Sequence, residues 1–368
     1  MNRMRRLLHA AALGALVSSI GAPAGAAITI DGTSVPVVDL HLHPGHFGQI
    51  AAGGKDFIVG STPDFTRLYA PAIFERLLDP YAPHVGIKAQ TDAAGVDHAV
   101  LYAVYTQKTT GYYTNEQLLS ALLDERNTSA TPGLPWAFGF ASVSFFDGYE
   151  DPAIEQSRLA ALSSYIEEHP GRVVGIKLAH AHQAVAFEDA KHLGVYDVAA
   201  KHGVPVLLHT GFSPFPGAQT DPEYYDPVFL EQVLSNYDGT GSMGLVNFVM
   251  SHVGTGDARA VDHALDLAEQ HPNVYLEISA LNRPFLIDAA GDPVESSEPQ
   301  YPFVLQEIKA RGLIGRTLFG TDGPQFSGFV EKYLGLIVQG MKDAGYTTAE
   351  MQAVLSGTFF KLFPVSPS

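Results

Sequence analysis

Residues 37–43 read Val37-Val38-Asp39-Leu40-His41-Leu42-His43. An apolar, β-branched run ends here in polar side chains, with two histidines two positions apart. Seven further runs repeat the pattern, at residues 98–104, 136–142, 173–179, 204–209, 246–251, 274–279 and 317–321. Their continuous apolar character predicts strands covered on both faces, as in a parallel sheet. Amphipathic stretches lie between them, for example at residues 116–127, 152–168, 187–202, 258–270 and 303–312. Asn115 and Asp257 read as helix caps. Eight strands alternating with helices predict an α/β protein, a single (β/α)8 TIM barrel. An open doubly wound sheet would carry a Gly-rich phosphate turn after its first strand, and none follows residue 41. Residues 44–93, rich in Gly, Pro, Phe and Tyr, read as an irregular insertion after strand 1 that folds over the barrel mouth as a lid.

The 368 residues are 46% hydrophobic, enough for a large core without staples, and include no Cys. A disulfide framework, a zinc finger, a thiol nucleophile and a lipidated cysteine are therefore excluded. The net charge of −17 repels phosphate backbones and anionic lipid surfaces, so neither nucleic acid nor membrane is an expected partner. A small-molecule substrate is, with a homo-oligomer left open. Residues 1–26 read as a cleaved signal peptide: Arg3, Arg5 and Arg6, then an apolar run from Leu7 to Ile20, then Ala22-Pro23-Ala24-Gly25-Ala26. Cleavage removes three arginines and no acid, taking the charge from −17 to −20. The mature protein, residues 27–368, is expected to be one catalytic domain, exported to the periplasm or secreted. Too little chain lies between the expected cleavage site and His41 for several further strands, so the barrel alone is expected.

In a barrel, side chains at the carboxyl ends of the strands converge on one mouth. Here those ends offer His41 and His43, Lys177, His209, His252, Glu277 with Ser279, and Asp322. His41 and His43 point to the same face of their strand. With His209 and Asp322 they make a set of three nitrogens and one oxygen that suits one divalent metal, zinc first, with manganese, iron or cobalt also accommodated. Such an ion brings the pKa of bound water to about 7. Asp322 is placed to take the water proton. His252 would orient the water, polarise a carbonyl, or serve a second ion. Lys177 reads as a buried amine; as a carbamate it would bridge two ions.

These motifs resemble the amidohydrolase superfamily, specifically the amidohydrolase-related proteins that include aminocarboxymuconate-semialdehyde decarboxylase and the resorcylate decarboxylases. The residues that carry the resemblance are Val38-Asp39-Leu40-His41-Leu42-His43, Val174-Gly175-Ile176-Lys177-Leu178, Leu208-His209, Ser251-His252-Val253-Gly254, Pro272-Asn273-Val274-Tyr275-Leu276-Glu277 and Leu318-Phe319-Gly320-Thr321-Asp322-Gly323-Pro324. The resemblance implies a metal-dependent hydrolase barrel with His41, His43, His209 and Asp322 as ligands. It implies His252 as the catalytic histidine and Asp322 as proton acceptor. Two features depart from it. Gly357-Thr358 stands where an Asn is usual, and the chain looks exported, whereas the family's decarboxylases mostly serve cytoplasmic catabolism.

Hydrolysis of an amide, ester or lactone is thus the first expectation, and decarboxylation of an aromatic or unsaturated acid the alternative. A phosphoesterase of the polymerase-and-histidinol-phosphatase type would end its last strand in Asp-x-His, where this chain has Asp322-Gly323-Pro324. A non-catalytic binding protein would not need the full ligand set. Substrate-selecting candidates in the loops are His46, Tyr105 to Tyr113, His180, His182, Phe212 to Pro216, Asn282 and Arg283, the last as a carboxylate binder.

Overall fold

The computed structural model describes residues 27–363 and Val365. The expected signal at residues 1–26 lies outside the described residues, as does most of the tail. Twelve strands are described. A hairpin, β1 (Ile28–Ile30) and β2 (Thr33–Val35), precedes the barrel, and a second, β5 (Val104–Thr106) and β6 (Gly111–Tyr113), interrupts it. The other eight are β3 (Val38–Leu42), β4 (His98–Tyr102), β7 (Ala137–Ala141), β8 (Val173–Leu178), β9 (Val206–His209), β10 (Phe248–Ser251), β11 (Val274–Glu277) and β12 (Thr317–Leu318). They pair in parallel in the order β3-β4-β7-β8-β9-β10-β11-β12. Seven fall within runs read from sequence, and β3 extends one residue past the first, read as Val37 to His41.

The ring closes where the irregular end of β12 meets β3. Leu40 donates to the Phe319 carbonyl at 3.0 Å, Asp322 to that of His41 at 3.0 Å, and His43 to that of Gly323 at 2.9 Å. Asp39 reinforces this seam from inside. Its carboxylate, fully buried, accepts from the His41 and Thr321 amides at 3.0 Å each and from the Thr321 hydroxyl at 2.8 Å. Burial pushes that carboxyl up to about 7 against those bonds.

The helices follow their caps. Asp257 accepts from the Arg259 amide ahead of Ala258–Gln270, as expected. The helix Asn115–Leu122 is capped one residue earlier than the sequence suggested. Thr114 makes a capping box with Gln117 there, and the Asn115 side chain instead ties the helix to Ser142.

The segment after β3 is not irregular. It forms helices at Ala52–Gly60, Ala70–Ile73 and Lys88–Ala94, with wider turns between them. Its glycines and prolines hid those helices from propensity. A small core of Phe47, Ile58, Ala70, Phe74 and Tyr81 holds the segment together. His46, Ile50, Ile58 and Tyr81 from it line one wall of the cavity at the barrel mouth. Among the described residues, no helix is long and apolar enough to cross a membrane.

Candidate metal centre

Strand register brings the polar ends level. His209 lies opposite Ser251, and Ser251 opposite Glu277. Immediately beyond the strands the backbone turns sharply. His252, Val253, Ala280 and Asp322 have φ of 66°, 48°, 59° and 61°. Non-glycine residues held there cost about 1–3 kcal/mol each, a strain that concentrates at functional sites. These turns aim His252 and Asp322 across the mouth.

His41 is the hub. Its Nε2 lies 3.1 Å from His43 Nε2 and 3.4 Å from Asp322 Oδ1, and His43 Nε2 lies 3.2 Å from the same oxygen. Its Nδ1 lies 2.9 Å from Glu277 Oε2. Ser279 donates its hydroxyl proton to that oxygen at 2.8 Å, so its own oxygen accepts from His252 Nδ1 at 2.7 Å. One buried carboxylate therefore orients two imidazoles, one directly and one through a serine. Both keep a hydrogen on Nδ1 and a lone pair on Nε2. Among the described residues, donors within 4.8 Å of one another fall into two groups of three, His41/His43/Asp322 and His41/His252/Glu277. They use opposite edges of the same His41 ring, so the second group supports the first.

His209 stands outside both groups. Its ring centre lies 4.9 Å from that of His252, and its Nε2 is buried with no hydrogen-bond partner. An orphaned buried polar atom costs about 1–3 kcal/mol, so on the cavity wall that His209 shares with His43 and Asp322 this nitrogen calls for a partner. As a donor set, three imidazole nitrogens and one carboxylate oxygen, with His43, His209 and Asp322 on the cavity wall and His41 buried behind them, suit a cation such as zinc.

The charges agree. Burial alone would raise the Asp322 carboxyl, but His252, His43 and Arg283 outweigh it and hold the group ionised. Burial pushes His41 and His209 well below the ordinary imidazole range and His252 down to about 3, leaving lone pairs free. Burial also brings the Lys177 ammonium down to about 7, against the pull of Asp322 and Glu277. Lys177 Nζ donates to Ser251 Oγ at 3.3 Å and sits 5.1 Å above the Tyr102 ring.

The loop candidates divide. Arg283 lines the cavity with its guanidinium 5.8 Å above the Phe57 ring. His46 is at the rim, paired with Asp79. His180 is not in the wall. It is fully buried against Phe187 and His192, and its neighbour His182 faces the cavity instead. The single helical turn His180–Gln183 sends the two rings to opposite sides, which sequence spacing does not reveal. The supporting roles of Glu277 and Ser279 were likewise missed. Both lie in the seventh run, 274–279, but their partner His41 is more than 230 residues away.

Several buried histidines set an acid limit on stability. Burial holds His98, His180, His182 and His192 below their ordinary value. Below about pH 6.5 the unfolded chain takes up protons that the folded chain refuses, so their contribution is present above that pH and lost as pH falls. Asp39 and Glu277, raised by burial to about 7 and about 8, act oppositely but are fewer. The urea midpoint of chelator-treated protein is therefore expected to rise between pH 5 and pH 7. A falling midpoint would contradict this balance.

Such a barrel with such a donor set defines a class, and sequence comparison places the chain within it. The amidohydrolase family model matches residues 147–365, and the chain belongs to that family. Among solved structures, a hydrolase-type relative from Pseudomonas putida, described as a putative 2-pyrone-4,6-dicarboxylic acid hydrolase, is 20% identical. Its TM-score is 0.53, with 90% of this chain and 98% of that one covered. An amidohydrolase from Burkholderia multivorans with bound zinc is 14% identical, at TM-score 0.54 over 90% and 100% of the two chains. The 2,6-dihydroxybenzoate decarboxylase from Rhizobium is 13% identical, at TM-score 0.53 over 89% and 98%. These likenesses show the fold. No curated protein matches the chain.

Proposed function

We propose that the protein is an exported, metal-dependent hydrolase that cleaves an amide, ester or lactone. The observation that carries this reading is the convergence of His41 Nε2, His43 Nε2 and Asp322 Oδ1 within 3.1–3.4 Å, with the orphaned His209 Nε2 on a residue that lines the same cavity as His43 and Asp322. His41, His43, His209 and Asp322 would hold one divalent ion. Zinc is proposed because the donor set suits it, and a structural neighbour binds it. Such an ion supplies Lewis acidity and lowers the pKa of adjacent water.

The chain's own groups do the rest. Asp322, held ionised, accepts the proton of the attacking water and returns it to the leaving nitrogen or oxygen as the acyl bond breaks. His252 has committed its Nδ1 hydrogen to Ser279, so its Nε2 accepts from the water and fixes its direction. Polarising a carbonyl would need a donor there, which this tautomer lacks. Arg283 binds a substrate carboxylate at the rim. Lys177 remains an amine; about one equivalent of metal is expected by elemental analysis, whereas two would place a carbamate on it.

Decarboxylation is the second reading, because the same residues could hold an acid and the Rhizobium neighbour is a decarboxylase. The two separate in H₂¹⁸O. With lactones, esters, amides and carboxylated aromatics as the panel, one ¹⁸O is expected in the acid product. Carbon dioxide release without solvent oxygen would replace hydrolysis by its alternative. Export has its own test: protein recovered from the periplasm or medium is expected to begin at Ala27, and an intact Met1 on cytoplasmic protein would contradict it.

A further inference from the structure

We infer that His182 is a specificity-determining residue: an acceptor, fixed in one tautomer by Thr109, that selects substrates carrying a hydroxyl or N–H within its reach in the cavity that Arg283 also lines. The tautomer follows from counting protons. Thr109 has one hydroxyl hydrogen, and its oxygen contacts both the Thr106 carbonyl at 3.3 Å and His182 Nδ1 at 2.9 Å. Both contacts are hydrogen bonds only if the hydroxyl donates to Thr106 and the imidazole donates to the hydroxyl. The hydrogen of His182 is then on Nδ1, and Nε2 carries a lone pair. Among the described residues that Nε2 has no hydrogen-bond partner. It is not sealed in either, because His182 lines the cavity.

The ring is held in this attitude from every side. Gln183 anchors the turn by donating to the Val143 carbonyl at 2.8 Å and accepting from the Ala179 amide at 3.1 Å. The Gln219 amide grips the Ala181 carbonyl at 2.8 Å. Edge contacts to His209, at 4.9 Å between centres, and to Phe215, at 6.0 Å, fix the plane. Thr109 is itself fully buried in the turn between β5 and β6. An acceptor fixed in this way rewards a donor and penalises its replacement by a methyl ether, which offers no hydrogen and leaves Nε2 unpaired.

The substrate half of this inference rests on the hydrolase reading of the cavity; the orientation of the ring does not. The first test therefore uses metal-free protein with no substrate. In ¹⁵N-histidine spectra His182 is expected as the Nδ1–H tautomer, and in Thr109→Val, which removes the acceptor, it is expected to shift towards Nε2–H. An Nε2–H ring in the wild type, or no change in Thr109→Val, overturns the assignment. The second test uses the zinc-loaded protein with 3-hydroxybenzoate and 3-methoxybenzoate as probes. The hydroxy acid is expected to bind about 5- to 10-fold more tightly, the equivalent of one neutral hydrogen bond. That preference should vanish in His182→Phe with metal content unchanged. Equal affinity for the two probes, or binding of neither, overturns the selecting role while leaving hydrolysis to be judged by the isotope experiment.

Discussion

Asp322→Asn is expected to lower turnover by about 10²–10⁴-fold on any substrate the wild type hydrolyses, the contribution of a lost general base, with thermal stability close to wild type. Asn is isosteric and tolerates the left-handed backbone that this position requires, with φ at 61°. The amide accepts weakly and cannot take the water proton. It also leaves the imidazoles of His41 and His43 without the anion that lies 3.4 Å and 3.2 Å from them. Wild-type activity in this variant would remove Asp322 from the chemistry. His41→Ala should be equally inactive but less informative. His41 is fully buried and holds Glu277, so its loss opens a void and strands a carboxylate.

Glu277→Ala is expected to weaken zinc binding by about 10–100-fold, the usual cost of losing the carboxylate behind a ligating histidine. Without it the His41 ring loses the partner at 2.9 Å that keeps its Nε2 turned to the mouth. Ser279→Ala separates the two arms of the network. It frees His252 and removes one donor to Glu277 but leaves the direct His41–Glu277 bond in place, so zinc affinity, read by chelator competition, should stay near wild type while turnover falls. Equal loss of affinity in both variants would mean that the network holds the fold and not the ligand.

The barrel was legible because strands buried on both faces have few solvent-facing positions to break their apolar runs, and most end near a polar side chain. The hairpin β1–β2 had a readable signal, Asp31-Gly32 with positive φ between alternating residues, but it lies against the expected cleavage site and went unread. The helices of residues 52–94 were hidden by glycine and proline and owe their stability to aromatic packing that no local window contains. At the site, the polar residue types that meet at the mouth could be read from the order of strand ends. Which edge each imidazole presents could not, because that depends on Glu277, Ser279 and Thr109, whose hydrogen bonds join distant stretches of chain. His180 and His182 show the limit most clearly: two residues apart, one lies in the core and the other in the cavity.

Anomalous diffraction at the zinc edge from zinc-loaded crystals tests the centre most directly. A single peak is expected within bonding reach, about 2.0–2.2 Å, of nitrogens from His41, His43 and His209 and of the Asp322 carboxylate. A peak that lies away from these four residues, or no peak at full zinc loading, would contradict the metal centre and the hydrolase built on it.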